Sequence, residues 1–361
     1  MFITLEKRPS PSRAWTIATP LLAVALTMIA GGIMFALLGK NPFEAIRTIF
    51  WDPLFNEAVA SYSRPQLLVK AAPLILIAVG LSLGFRAGIW NIGAEGQYIL
   101  GALAATGVAL ATWEMEGPWI LPLMCLAGAL GGMAWAAVPA ALRTRLGVNE
   151  ILTSLMLTYV AVQLLYFLMN GPWKDPDGFN FPQSRLFNMS QTLPMLGSTI
   201  VHLGVPLAAL IAVVAWFLMG RTTFGFRIRA VGRAPQAARY AGFDANGTVW
   251  TTLMLGGGLA GLAGTFEAAG TFGQMTPQFP AGYGFTAIIV AFLGRLHPLG
   301  ILLAGVVMAV TYIGGETAQT RLGLPDAAAG LFQAMTLFFL LAADVLVRYR
   351  IRLSDPKGAA A

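Results

Sequence analysis

Residues 88–102 read GIWNIGAEGQYILGA, set between two apolar runs. Three side chains in this stretch can make strong, directed hydrogen bonds: Asn91, Glu95 and Gln97. The two amides both donate and accept, and the carboxylate accepts through two oxygens. Such a set can supply polar contacts along a path through an otherwise apolar protein. A charge at the centre of a membrane segment costs at least a few kcal/mol, so Glu95 requires water, a partner or a place near the interface. Gly93 and Gly96 permit a break in a helix. Glu95 and Gln97 are then expected to cap the first turn of the following helix, where the dipole favours negative charge. The capping role and the pathway role are compatible.

Other chemistries have little support. The sequence contains no G-x-x-x-x-G-K-[ST] loop for nucleotide phosphates. His202 and His297 are far apart, and no His/Cys cluster has metal-ligand spacing, so neither metal nor cofactor is expected. No nucleophile-elbow pattern marks a hydrolase. Cys125 is the single cysteine, within an apolar run, which excludes an intrachain disulfide.

The elements that must position these residues are membrane helices. Of 361 residues, 57% are hydrophobic and 11% are charged, and the mean hydropathy is +0.70. Apolar runs long enough to cross a ~30 Å hydrocarbon core recur along the chain. With 41 glycines, 21 prolines and no long alternating pattern, the composition implies an all-α integral membrane protein and not a β-barrel. Residues 1–361 are read as a single transmembrane domain. Its ten expected segments are 15–39, 64–85, 96–112, 119–142, 151–169, 201–219, 249–270, 281–294, 298–315 and 328–347. The first is too long for a signal-peptide core and reads as a retained anchor.

The net charge of +7 is assigned to inward-facing loops and not to nucleic-acid binding. Lys7, Arg8 and Arg13 place the N-terminus in the cytoplasm, and Arg348, Arg350 and Arg352 do the same for the C-terminus. The loop 220–248 carries Arg221, Arg227, Arg229, Arg233 and Arg239 against Asp244 alone, so it is also expected inside. The polar stretch 170–200 falls outside. Two places are irregular, 88–97 and 272–298, the second holding GQMTPQFPAGYGF before a run too short to span. They occupy matching places if the chain is two halves of five segments, a pattern that often marks a transport path. The pairs Gly128/Gly132 and Gly257/Gly261 suit close helix packing within one subunit. Within the inside loop, 234–241 reads as a two-turn helix, with Pro235 in its first turn and Gly242 at its left-handed cap. An ion-coupled carrier is the alternative transport class. It would draw on buried ionisable residues, and Glu95, Lys70 and Glu267 are the few candidates.

Asn91-Ile-Gly-Ala-Glu-Gly-Gln97 resembles the signature of permease subunits of bacterial ABC importers, in the group that handles sugars, branched-chain amino acids and nucleosides. GVNEILTSLMLTYVA at 147–161, RAVGRAPQAARYAG at 229–242 and YGFTAIIVAFLGRLHPLG at 283–300 extend the resemblance in the right order over nearly the whole chain. The asparagine-and-glutamate form of the first motif is similar to the nucleoside branch; Thr158 departs from it where Asn is common. The resemblance implies a transport subunit of the cell (inner) membrane without an ATPase site of its own. It implies cytoplasmic ABC ATPase subunits, a second permease subunit and an extracytoplasmic substrate-binding protein as partners, within the lipid bilayer. It further implies pathway roles for Asn91, Glu95, Gln97, Asn149, Glu150 and Thr158. ATPase coupling would then run through Arg233, Pro235, Ala238 and Arg239 in the cytoplasmic loop 220–248.

Overall fold

The computed structural model describes residues 2–7, 12–325 and 327–354; Arg8, one of the basic residues used for orientation, lies outside them. Two compact units divide the chain, Met1–Ala60 with Val310–Ala361, and Ser61–Ala309. In order the elements are β1 (Phe2–Lys7), α1 (Arg13–Leu37), α2 (Pro42–Ile46), a π-helical turn over Arg47–Trp51, α3 (Asp52–Phe55) and α4 (Glu57–Arg86). Next come α5 (Ala94–Ala111), α6 (Ile120–Leu146), α7 (Glu150–Asn170), α8 (Gly204–Arg221), α9 (Thr223–Arg233), α10 (Pro235–Tyr240) and α11 (Ala245–Glu267). A second π-helical turn covers Ala268–Phe272, before α12 (Tyr283–Leu293), α13 (Pro298–Leu322), α14 (Ala327–Arg348) and β2 (Tyr349–Ser354).

Each of the ten expected segments is occupied by a helix. Among the described residues, eight helices are long and apolar enough to cross a membrane. The two shortfalls are α5, which opens on Ala-Glu-Gly-Gln, and α12, which has 11 residues. These are the helices that follow the two irregular stretches, so the breaks in hydropathy are breaks in structure.

In the first unit, α1 packs along α14, with Phe35 stacked on Phe332 at 5.4 Å between ring centres. Asp52 is buried there and approached by Arg47 and Arg321, each at 3.5 Å. β1 and β2 pair antiparallel, and Glu6 meets Arg350 at 2.8 Å.

The second unit is built around α4, whose apolar core is 89% buried, while α6, α7 and α8 are under 30% buried and form its perimeter. Perimeter residues such as Leu130, Leu152, Phe167 and Phe217 are exposed and apolar, as lipid contact requires. Glycine lets α5, α6 and α11 touch backbone to backbone. A Cβ added at Gly132 would lie 2.1 Å from the Gly257 carbonyl oxygen, and one at Gly101 would lie 2.1 Å from Gly261 Cα. The paired glycines therefore serve packing within the subunit. Towards the arginine-rich end, Leu83, Ile89, Met219, Ile228 and Leu253 form an apolar cluster that fastens α9 to the membrane helices.

Candidate functional site

Residues 88–93 run without helical structure between α4 and α5, and turn at Gly88, whose φ is +74°. This extended backbone leaves N–H groups that need partners. Trp90 donates to Glu150 Oε1 at 3.2 Å and Ile92 donates to Ser154 Oγ at 3.2 Å, both on α7. The approach is close enough to exclude a side chain at Gly93, where a Cβ would stand 2.5 Å from the Ser154 carbonyl oxygen. Asn91 and Gln97 are buried and satisfy each other. Asn91 Nδ2 donates to Gln97 Oε1 at 2.9 Å, and Gln97 Nε2 donates back to Asn91 Oδ1 at 3.3 Å. Asn91 Oδ1 also accepts the Gly93 N–H at 3.1 Å.

Glu95 does not cap its own helix, as the sequence suggested. No side chain caps α5. Instead its carboxylate reaches across to the second irregular stretch and caps α12. The N–H of Gly282 donates to Oε1 at 2.9 Å and that of Gly284 to Oε2 at 2.5 Å. Both oxygens therefore meet orphan donors at a helix N-terminus, where the dipole adds to the attraction. Gly284 is required by the same contact, since a Cβ there would lie 2.2 Å from Glu95 N. The two broken segments are thus one joint.

The remaining residues expected on the pathway lie on or beside α7. Asn149 caps that helix, accepting from Ile151 N–H at 2.9 Å. Glu150 forms an ion pair with Arg143 besides holding Trp90. Thr158 is buried, donates to the Ser154 carbonyl oxygen at 3.3 Å, and would crowd any Cβ at Gly96. Glu150 and Thr158 therefore gather with Asn91, Glu95 and Gln97 around the 88–97 stretch, whereas Asn149 serves its own helix.

A second polar group adjoins the α12 N-terminus. Lys70 Nζ of α4 lies over the Tyr283 ring, 5.6 Å from its centre. Tyr98 stands edge-on to Tyr283 at 5.9 Å and stacks on Phe279 at 4.8 Å. Glu267, the last residue of α11, is 1% exposed. Thr271, Tyr283 and the Lys70 charge act on it. Neither of its oxygens is in hydrogen-bonding geometry with any described residue.

At the arginine-rich end the expected two-turn helix at 234–241 is α10, with Pro235 at its start and Gly242 beyond it at φ +81°. The preceding helix α9 was not anticipated, because its arginines obscured an apolar stripe of Ile228 and Val231. Ala238, expected to face a partner, is instead 4% exposed, as the α10 backbone turns it towards its own chain. Arg233, Pro235 and Arg239 are exposed, and Tyr240 is 94% exposed. Beside them lies a groove of about 360 Å³ lined by Phe226, Arg229, Arg233, Ala237 and Phe243. α9 presses directly on the end of α4, where a Cβ at Gly232 would stand 2.0 Å from the Arg86 carbonyl oxygen. Arg86 in turn donates from Nε to the Leu296 carbonyl oxygen at 2.9 Å, beyond α12.

At the opposite end, the 170–200 stretch is a built cap. Its backbone bonds reach Ala269, Gly273 and Met275, from Leu193, Phe187 and Ser184 at 2.8–2.9 Å. Gln191 donates to the Ala109 carbonyl oxygen at 2.8 Å, and Arg185 lies over Trp113 at 4.4 Å. His202 is buried against the second π-helical turn, accepts the Gly204 N–H on Nδ1 at 3.2 Å, and has its pKa pushed down to about 4 by burial.

Residues 64–341 match the family described as branched-chain amino acid transport system / permease component. The chain is 37% identical to the glucose ABC transporter permease protein TsgB13 of Haloferax volcanii, over 99% of this chain and 96% of that one. It is 29% identical to the guanosine ABC transporter permease protein NupP of Bacillus subtilis, over 94% and 97% respectively. It is 27% identical to the nucleoside ABC transporter permease protein NupB of Lactococcus lactis, over 95% and 94%. No solved structure matches. The chain belongs to this family of multi-pass ABC permeases.

Proposed function

We propose that this chain forms half of the translocation pathway of an importer for a nucleoside, in a cell (inner) membrane, with both termini and the loop 220–248 cytoplasmic. A binding protein delivers the solute at the outer cap 170–200, a second permease subunit completes the pore, and separate ATPase subunits supply the energy. The observation that carries the reading is a continuous line of contact. It starts at the exposed helix α10, passes through α9 to Arg86, and reaches both the 88–93 stretch and the turn after α12. Movement imposed on α10 has a packed route to the joint between Glu95 and α12. Interiors transmit displacement of this kind because they are close-packed.

The nucleoside assignment rests on the Asn-Ile-Gly-Ala-Glu-Gly-Gln stretch and on the guanosine and nucleoside relatives. A sugar is the second reading, favoured by the glucose relative at 37% identity. The ATPase arm is tested by purification in mild detergent with identification of co-purifying chains; an isolated chain that drives uphill uptake on an ion gradient would establish a carrier instead. The substrate arm is tested by competition of labelled-nucleoside uptake with nucleosides and sugars. Competition by nucleosides alone is expected, and loss of only sugar uptake in a deletion strain would reverse the assignment.

A further inference from the structure

Beyond this reading, and resting on it, we infer that Glu267 and Lys70 are the polar contacts for the transported solute, and that they take the hydroxyl groups of an uncharged ribonucleoside.

The inference starts from saturation. The polar groups of the 88–97 stretch are already engaged: Asn91 with Gln97, and both Glu95 oxygens with backbone N–H groups. A solute could bind them only by displacing bonds that hold the fold. Glu267 differs: it is equally buried, Thr271, Tyr283 and Lys70 are near enough to act on it, yet neither oxygen is in full hydrogen-bonding geometry with a described residue. Buried polar groups in native proteins are nearly always paired, and an exception needs an explanation, which a transported solute supplies here. The partner has to be a donor, since a carboxylate accepts.

Depth and access agree. Lys70 lies mid-way along α4, about 24 Å from Arg86 and about 20 Å from Glu57 at 1.5 Å per residue. It is half-buried, and towards Glu57 the same helix exposes Tyr62 and Arg64 and partly exposes Gln66. From Ala71 to Leu83 it is buried throughout. Lys70, inside the expected segment 64–85, faces water or protein and not lipid, and it lies beside the α12 N-terminus.

The chemistry selects the solute. A cation beside an anion leaves no net charge, which suits an uncharged solute with both donors and acceptors. Tyr283, Tyr98 and Phe279 form an aromatic group beside the pair, matched to a planar base. Both tyrosines are fully buried here, so entry of a solute requires local movement of these rings.

The test uses the complete transporter with its ATPase and binding protein. Uptake of a ribonucleoside and of its 2′- and 3′-deoxy analogues is compared in wild type, Glu267→Gln and Lys70→Gln. A hydrogen bond to a charged group sets the expected scale: wild type prefers the ribonucleoside about tenfold, and Glu267→Gln lowers its uptake about tenfold and erases the preference. Unchanged preference in an assembled Glu267→Gln transporter overturns the inference. If that variant does not assemble, Thr271→Cys in a Cys125→Ala background, which leaves both proposed contacts in place, is labelled with a hydrophilic thiol reagent; protection by nucleoside supports the site and absence of protection overturns it. If wild type takes up only sugar, the substrate reading above fails. The same variants are then read with glucose and deoxyglucoses, where lost hydroxyl discrimination supports the pair and retained discrimination overturns it.

Discussion

Glu95 and Glu267 are both acids in the second unit, 2% and 1% exposed, and both lie close to the α12 N-terminus. Glu95 gives each oxygen to a backbone N–H, whereas Thr271, Tyr283 and Lys70 act on Glu267 without bringing either oxygen into full hydrogen-bonding geometry. The first acid therefore acts as a structural joint, satisfied by the fold itself. The second retains unused hydrogen-bonding capacity, which costs stability and is kept where a ligand uses it. Burial alone does not separate scaffold from pathway in a membrane bundle; the fate of each lone pair does.

The largest effects are expected at the joint. Glu95→Ala strands the Gly282 and Gly284 N–H groups at a buried helix start, at a cost of about 2–5 kcal/mol. The variant should melt well below wild type in detergent and fail to support uptake. Gly284→Ala should do the same by a steric route, because its Cβ would collide with Glu95 N at 2.2 Å. A Gly284→Ala protein with wild-type melting would show that α12 is not held against α5. Asn91→Ala should cost less, about 1–3 kcal/mol, because it leaves only the buried Gln97 amide and the Gly93 N–H without a partner.

Helices α9 and α10 give a contrast of smaller size. Ala238→Glu forces a charge into a buried position and should lower stability of the isolated chain. Tyr240→Ala changes an exposed side chain and should leave melting within about 0.5 kcal/mol of wild type, while reducing ATPase recovery in co-purification. Equal ATPase recovery with Tyr240→Ala would remove α10 from the coupling contact. The smallest effect is expected from pH at His202, beside the 170–200 cap. His202 is held neutral, with its pKa reduced from 6.5 to about 4. The folded state then binds fewer protons than the unfolded state between those values. Its stability contribution is present above pH 6.5 and lost as pH falls towards 4. Melting measured from pH 7 to 4.5 should decline, and His202→Gln should flatten the decline.

Much of this was legible in the sequence because membrane helices declare themselves by length and hydropathy. The eight long apolar helices among the described residues are legible that way, as are the two breaks. Pro235 and Gly242 located α10 from backbone preference alone. What the sequence could not supply was the partner of Glu95. A side chain opening a helix is equally able to cap that helix or one nearly 190 residues away, and only the fold chooses. Likewise, Ala238 sits on a short helix whose inward and outward faces are set by the neighbouring α9, whose arginines concealed it. Glu267 and Lys70 were visible as ionisable residues in apolar runs, but their proximity depends on how α4, α11 and α12 converge.

The most direct measurement compares Glu95→Gln and Glu267→Gln in the same complete transporter, recording thermal melting and ATP-driven nucleoside uptake for each. The account predicts opposite separations. Glu95→Gln, which weakens a bonded carboxylate, should lower melting together with uptake; Glu267→Gln should keep wild-type melting or rise above it, while uptake falls about tenfold. Loss of melting with Glu267→Gln, together with unchanged melting in Glu95→Gln, would contradict the division of these two acids into joint and pathway.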